Sequence, residues 1–158
     1  MLAQILDALA FAHEAGVAHG NLKAENVLFD RFGNAQLSDF GIAALRDPDT
    51  EVDSRLLGYL APEQIRHSAT EPNPATDLYA VGVLLFETLG GRPANRRIPY
   101  PTKLHADAPA VLLRVAQRLT AEKPEDRYSN AGEALRDFLR TANDPRLGEP
   151  KRISMATG

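Results

Sequence analysis

The chain has 158 residues, 44% hydrophobic and 25% charged, the profile of one globular domain large enough to hold a core without covalent staples. It has no cysteine, which excludes disulfides and thiolate metal sites, and its net charge of −3 gives no electrostatic drive toward nucleic acid or an anionic membrane.

The first predicted element starts at residue 2. Leu2, Ile5, Leu6, Leu9 and Val17 fall mostly at three- and four-residue steps, the spacing of an amphipathic helix, and Gly16 is a stop signal. The opening MLAQILDALAFAHEAG lacks a basic start and carries Asp7 early, so it does not read as a signal peptide. NVLFD at 26–30 and AQLSD at 35–39 are short strand-like runs around RFGN, which predicts a β-hairpin. The charged, aperiodic stretch 44–58 reads as an exposed loop. APEQIR at 61–66 starts a short helix with Pro62 in its first turn.

Residues 74–93 predict the central helix, apolar nearly all round; its run LYAVGVLLF is too short to span a bilayer, so a cytoplasmic protein is expected. Residues 94–109 hold three prolines and read as an irregular connection. Val111, Leu112, Val115, Ala116 and Leu119 predict a further amphipathic helix. Ser129 is placed to cap a last one, carried by Ala134, Leu135, Phe138 and Leu139. Residues 141–158 are a polar tail, expected to be disordered.

The chemistry sits in two places. HGNLKAENVLFD at 19–30 puts Asn21, Lys23 and Asn26 on one loop, and the hairpin returns the chain to Asp39-Phe40-Gly41. Phosphoryl transfer depends on positioning and charge neutralisation: it needs a residue at the attacking hydroxyl, a cation at the transferring phosphate and oxygen ligands for Mg²⁺. A carboxylate followed by an aromatic and a glycine at a strand end suits the last role, and the lysine suits the second.

HGNLKAENVLFD, LSDFG, GYLAPEQ, DLYAVGVLLFETLGGRP and EDRYSNAGEAL, in this order and spacing, resemble the C-terminal lobe of Ser/Thr protein kinases, the bacterial ones above all. The resemblance runs from about residue 2 to about 140, so residues 1–140 are expected to form a kinase-like large lobe, mainly α with one hairpin (α+β). It implies ATP and Mg²⁺ as cofactors. Lys23 is then the lysine at the transferring phosphate, and Asn26 and Asp39 bind the two metal ions. Val27 and Leu28 form the floor under the adenine. His19 is structural, packed on Phe40; Asp77 braces the catalytic loop from the central helix; Glu63 pairs with Arg127.

The departures from that pattern matter as much. The family's HRD motif is His19-Gly20-Asn21 here, so an amide stands where the aspartate base is expected, and base loss costs on the order of 10² to 10⁴ in rate. Gly20 removes the cation on which a phosphorylated activation loop docks, which makes Thr50 and Ser54 poor switch sites, and Arg55-Leu56 replace a Gly-Thr pair. No Gly-rich loop, strand lysine or helix glutamate of a small lobe is found, so the expectation is a large lobe without its small lobe, inactive or very weak alone. Three functions follow: a Ser/Thr protein kinase or its remnant; a pseudokinase that binds or regulates a protein partner; and a small-molecule phosphotransferase, whose HGDLH pattern shares only the HG. His13, His67 and His105 lack metal-like spacing and receive no role, and Arg96-Arg97 reads as solvated surface.

Overall fold

The computed structural model describes residues 1–41, 56–66, 71–90 and 109–143. The described chain is mostly helical with one two-stranded antiparallel sheet, as expected.

Helix α1 spans Leu2–Glu14 and buries Leu2, Ile5, Leu6 and Leu9. It stops where Gly16 turns left-handed (φ +76°), its N–H donating to the His13 carbonyl at 3.0 Å. Val17 therefore leaves the stripe and is exposed, contrary to expectation. The next stripe position, one turn past Leu9, belongs to His13.

A single 3₁₀ turn, Ala24–Asn26, leads into β1 (Val27–Phe29), which pairs with β2 (Ala35–Leu37) in the register Val27–Leu37, Leu28–Gln36 and Phe29–Ala35. Asp30 closes the turn, its Oδ1 accepting from the amides of Phe32 (2.8 Å) and Asn34 (2.9 Å). Gln4 of α1 clips the hairpin on: its Nε2 donates to Asn34 Oδ1 and its Oε1 accepts from the Ala35 amide, both at 3.0 Å.

Residues 56–58 of the expected loop form a 3₁₀ turn with Leu56 buried; residues 44–55 lie outside the described residues. Helix α2 is Pro62–Arg66. Helix α3, Pro74–Gly90, is buried along nearly its whole length and is the axis of the core. Asn73 caps it, Oδ1 accepting from Ala75 N (3.0 Å) and Thr76 N (3.2 Å). With Asn73 as the cap, the Asp77 carboxylate is available elsewhere.

Helix α4 (Ala110–Leu119) crosses α3 closely. Gly82 makes this possible: a Cβ there would lie 2.6 Å from Thr120 Cγ2 and 2.7 Å from Leu119 Cβ. A 3₁₀ turn at Pro124–Asp126 precedes α5 (Ala131–Ala142), which packs on α1 and α4. The cap of α5 is Asn130 rather than Ser129: Asn130 Oδ1 accepts from the Glu133 amide at 2.8 Å, and Glu133 reaches back to Ser129 N and Oγ, a reciprocal box shifted by one residue. The helix continues through Ala142 with Thr141 buried, so the polar tail does not begin at 141. Residues 91–108, including Arg96, Arg97 and His105, residue His67, and 144–158 lie outside the described residues. Among the described residues no helix is long and apolar enough to cross a membrane.

Candidate functional site

The loop from His19 to Asn26 is anchored from beneath. Leu22 sinks into the core at 2% exposure, and His19, Asn21, Lys23 and Asn26 are buried around it. Buried backbone donors need partners, and the buried carboxylate of Asp77 supplies two. Its Oδ2 accepts from the His19 amide at 2.7 Å and its Oδ1 from the Gly20 amide at 2.9 Å. Asp77 also receives His13 Nε2 at 2.9 Å. Gly20 takes φ +70°, a left-handed turn that aims both amides at one carboxylate and that any side chain would strain.

The His19 ring is fully buried, with Nδ1 accepting from the Asn21 amide at 3.3 Å. It packs against Phe40 with centroids 4.4 Å apart. Burial pushes its pKa below the ordinary histidine value, against the opposing pull of Asp77, the His19 and Ser38 carbonyls and Asp39. The ring is therefore neutral at pH 7 and acts as a spacer between the loop and Phe40.

Backbone pairing joins the loop to the 39–41 segment. Gly41 N donates to the His19 carbonyl at 3.2 Å, and Ser38 N to the Asn26 carbonyl at 3.0 Å. Asn26 Nδ2 donates to the Asn21 carbonyl at 2.7 Å, which leaves its Oδ1 as an acceptor. Asp39 follows Ser38 at the same end of the hairpin, with its side chain exposed. Among the described residues it is the one non-glycine at positive φ (+63°), a conformation that aspartate tolerates better than most residues.

Asn21 and Asn26 are thus hydrogen-bonded to each other and Asp39 follows the residue that pairs with Asn26, with Lys23 on the same loop. One carboxylate and one free amide carbonyl are hard oxygen donors of the type that Mg²⁺ takes, and too few to hold it alone. No group of three or more His, Asp or Glu that could form a metal cage occurs among the described residues. Such a half-set fits an ion whose remaining positions are filled by nucleotide phosphates and water. Leu28, at 51% exposure on β1, lies open beside this end, while Val27 packs on the core.

Two supports lie farther out. Arg127, whose side chain is fully buried, forks onto Glu63: Nη1 to Oε1 at 2.7 Å and Nη2 to Oε2 at 2.8 Å. It also donates to the carbonyls of Ala75 and Ala121 at 2.9 Å. Burial alone would raise the Glu63 pKa; the Arg127 hydrogen bonds overcome this and hold it below the usual carboxylate range. Tyr59 is a second tie. Its hydroxyl accepts from the Ala24 amide at 3.2 Å and donates to Glu87, and burial with that carboxylate raises its pKa.

Of the residues singled out in the sequence, His19, Asn21, Lys23, Asn26, Leu28, Asp39, Phe40, Glu63, Asp77 and Arg127 lie among the described residues, whereas Thr50, Ser54, Arg55, His67, Arg96, Arg97 and His105 do not. His13, Tyr59 and Glu87 were missed. His13 could have been found by extending the stripe Leu2–Leu6–Leu9 by one turn; Tyr59 and Glu87 carry no spacing signal.

Residues 1–156 match the protein kinase domain family. The serine/threonine-protein kinase Pkn1 of Myxococcus xanthus is 36% identical, over 98% of this chain and 24% of its own length. PknH of Mycobacterium tuberculosis, also named a serine/threonine-protein kinase, is 34% identical over 92% of this chain and 26% of its length. PrkC of Bacillus subtilis, named likewise, is 30% identical over 96% and 26%. The chain spans about a quarter of the length of these relatives. With the loop, the 39–41 segment and their braces in place, the chain belongs to the protein kinase family.

Proposed function

We propose that this chain is the large C-terminal lobe of a Ser/Thr protein-kinase domain that keeps its Mg²⁺–nucleotide face and has lost its general base. The observation that carries the reading is the bracing of the loop. Asp77 holds the His19 and Gly20 amides while Ser38 pairs with Asn26, which keeps the backbone of Asn21, Asn26 and Asp39 in one braced segment and supports the reading. In that frame Asn26 and Asp39 would offer oxygen to a metal, Lys23 a cation to the transferring phosphate, and the exposed Leu28 an apolar surface to a base ring. When bound, Mg²⁺ supplies neutralisation of the phosphate charge.

Asn21 cannot take a proton near neutral pH; its carbonyl can only orient a substrate hydroxyl. Full turnover therefore needs a small lobe and a base, and the face of Leu28 and Phe29, both more than half exposed, is where a small lobe would rest. The test is Asn21→Asp in a protein that carries both lobes. Phosphotransfer to a protein substrate should rise about 10² to 10⁴-fold. No gain overturns Asn21 as the limiting defect.

The same amide favours a second reading, a cytoplasmic pseudokinase that binds nucleotide without turnover and regulates a protein partner. Nucleotide binding by both the parent and the Asn21→Asp variant, with phosphotransfer by neither, would select it. A small-molecule phosphotransferase is disfavoured by Lys23 and by the Glu63–Arg127 pair, which belongs to the protein-kinase pattern.

A further inference from the structure

We infer that Gln4 is a positioning residue: through Asn34 it pins the closed half of the β1–β2 hairpin onto α1 and so sets the tilt of the Leu28–Phe29 face. The inference rests on the kinase reading only for the meaning of that face, a surface for a base ring. Alternate strand residues share a side, so Val27 and Phe29 stand with their partners Leu37 and Ala35. Packing holds the open half of that side, where Val27 and Leu37 lie against the core. It weakens toward the turn: Phe29 is 57% exposed, and Ala35 brings only a methyl group. Two strands alone are marginally stable in water, and a hairpin packed at one end can rock about it.

Polar bonds tie the closed half instead. The Asp30 amide donates to the Asn34 carbonyl, so in an antiparallel ladder the next amide of β2, Ala35, points away from β1. Gln4 Oε1 accepts from that edge amide, and Gln4 Nε2 donates to Asn34 Oδ1, both at 3.0 Å. Asn34 carries the tie onward. Its Nδ2 donates to Asp30 Oδ2 and its amide to Asp30 Oδ1, both at 2.9 Å, and Asp30 Oδ1 also takes the Phe32 amide. The turn therefore moves as one body with its Gln4 contact. Gln4 itself is fixed, because the next two residues of α1, Ile5 and Leu6, are buried in the core. One side chain that grips both the turn and the strand edge fixes rotation as well as distance. Leu28 lies between two anchors: this one, and the Asn26–Asn21 and Gly41–His19 hydrogen bonds at the open end.

The experiment is native-state hydrogen exchange on the full chain with Gln4→Met, which keeps the side-chain length and removes both bonds. Three amides report: Asp30 at the closed end, Ser38 at the open end and Val83 in α3. Gln4 bonds to none of them, so a change at Asp30 alone is transmitted through the turn. Exchange at Asp30 should speed up about tenfold more than at Ser38 and Val83. Gln4→Glu, which keeps the acceptor for the Ala35 amide, should restore part of the difference. Equal acceleration at all three amides, or none at Asp30, overturns the inference. If Gln4→Met does not fold, Asn34→Ala, which cuts the link between Gln4 and Asp30, takes its place with the same outcomes. In a protein with both lobes, Gln4→Met should weaken Mg²⁺–adenosine triphosphate binding about tenfold and leave Mg²⁺–tripolyphosphate, which has no base, unchanged. Equal weakening of both ligands also overturns the inference. A parent that binds neither ligand counts against the kinase reading and leaves the exchange result standing.

Discussion

Arg127 and Glu63 are joined by two parallel hydrogen bonds across 64 residues of sequence, and the guanidinium that makes them is wholly buried. The pair ties the turn before α5 to the start of α2, and the bonds of Arg127 to the Ala75 and Ala121 carbonyls extend the tie to the start of α3 and the end of α4. Arg127 also lies over Tyr79, its guanidinium carbon 5.0 Å from the ring centroid. Removing one partner strands a buried charge and several acceptors, which is worse than removing both. Arg127→Met should destabilise by about 3–5 kcal/mol. Glu63→Gln with Arg127→Met should cost less than the sum of the single changes. Urea unfolding of the three variants measures this, and strict additivity would show that the two residues act separately.

Acid should weaken the fold in two stages. The His19 pKa is depressed by burial, so the folded ring is neutral and the unfolded ring takes the proton first. That contribution is complete above the unfolded value of about 6.5 and declines as pH falls below it. Glu63 is depressed by its hydrogen bonds to Arg127, after burial has pushed the other way. Its contribution is complete above the unfolded value of about 4.3 and is lost as pH falls through the folded one. Glu133, held down by the Ser129 amide and hydroxyl, and Asp137, held down by the Tyr128 hydroxyl, add with the same sign. Urea midpoints over a pH series should drop first below about 6.5 and again below about 4.3. An imidazole signal from His19 that titrates at or above 6.5 would refute the first stage.

The boundary between what was legible in the sequence and what was not follows the range of the interactions. The stripe of α1, the hairpin turn around Gly33 and the apolar length of α3 depend on near neighbours, so periodicity and turn chemistry expose them. The cap of α5 was misread by one residue because Ser129 and Asn130 are both good caps, and only the backbone path decides between them. The Asp77 brace and the Glu63–Arg127 pair were legible because their motifs keep family spacing. The place of His13 on the α1 stripe was readable but its partner was not, because the contact joins residues 13 and 77 and local spacing does not encode that distance. Gly82 was equally silent, since its reason is a neighbour on α4.

Gly82→Ala makes that neighbour measurable. In an isolated helix interior, alanine is better than glycine by about 1 kcal/mol. Here the added methyl would sit 2.6 Å from Thr120 Cγ2, 2.7 Å from Leu119 Cβ and 3.2 Å from the Ala116 carbonyl oxygen, two of them core side chains and one a backbone atom. Overpacking of this kind costs about 1–3 kcal/mol, and here the propensity gain is the smaller term because α4 must move as a unit. A net loss of about 1–2 kcal/mol in urea or thermal unfolding is expected. A stabilised variant would mean that α3 and α4 separate at little cost.

Asp39 separates charge from backbone shape. Its φ of +63° is a conformation that asparagine adopts readily and alanine does not. Its carboxylate is exposed, and its one hydrogen bond among the described residues is a long one from Ser38 Oγ at 3.4 Å. Asp39→Asn should therefore leave stability within about 0.5 kcal/mol of the parent, as for an ordinary surface change. Asp39→Ala should lose about 1–2 kcal/mol through the left-handed backbone alone. If Asp39 supplies oxygen to a phosphate-bound Mg²⁺, both variants should lose the Mg²⁺-dependent part of nucleotide affinity in a protein with both lobes, by about tenfold or more, whatever their stability. Calorimetric titration of nucleotide with and without Mg²⁺, beside thermal melts of the same samples, separates the two effects. Loss of affinity in Asp39→Ala alone would assign the residue to holding the turn, and equal loss in both would assign it to the metal.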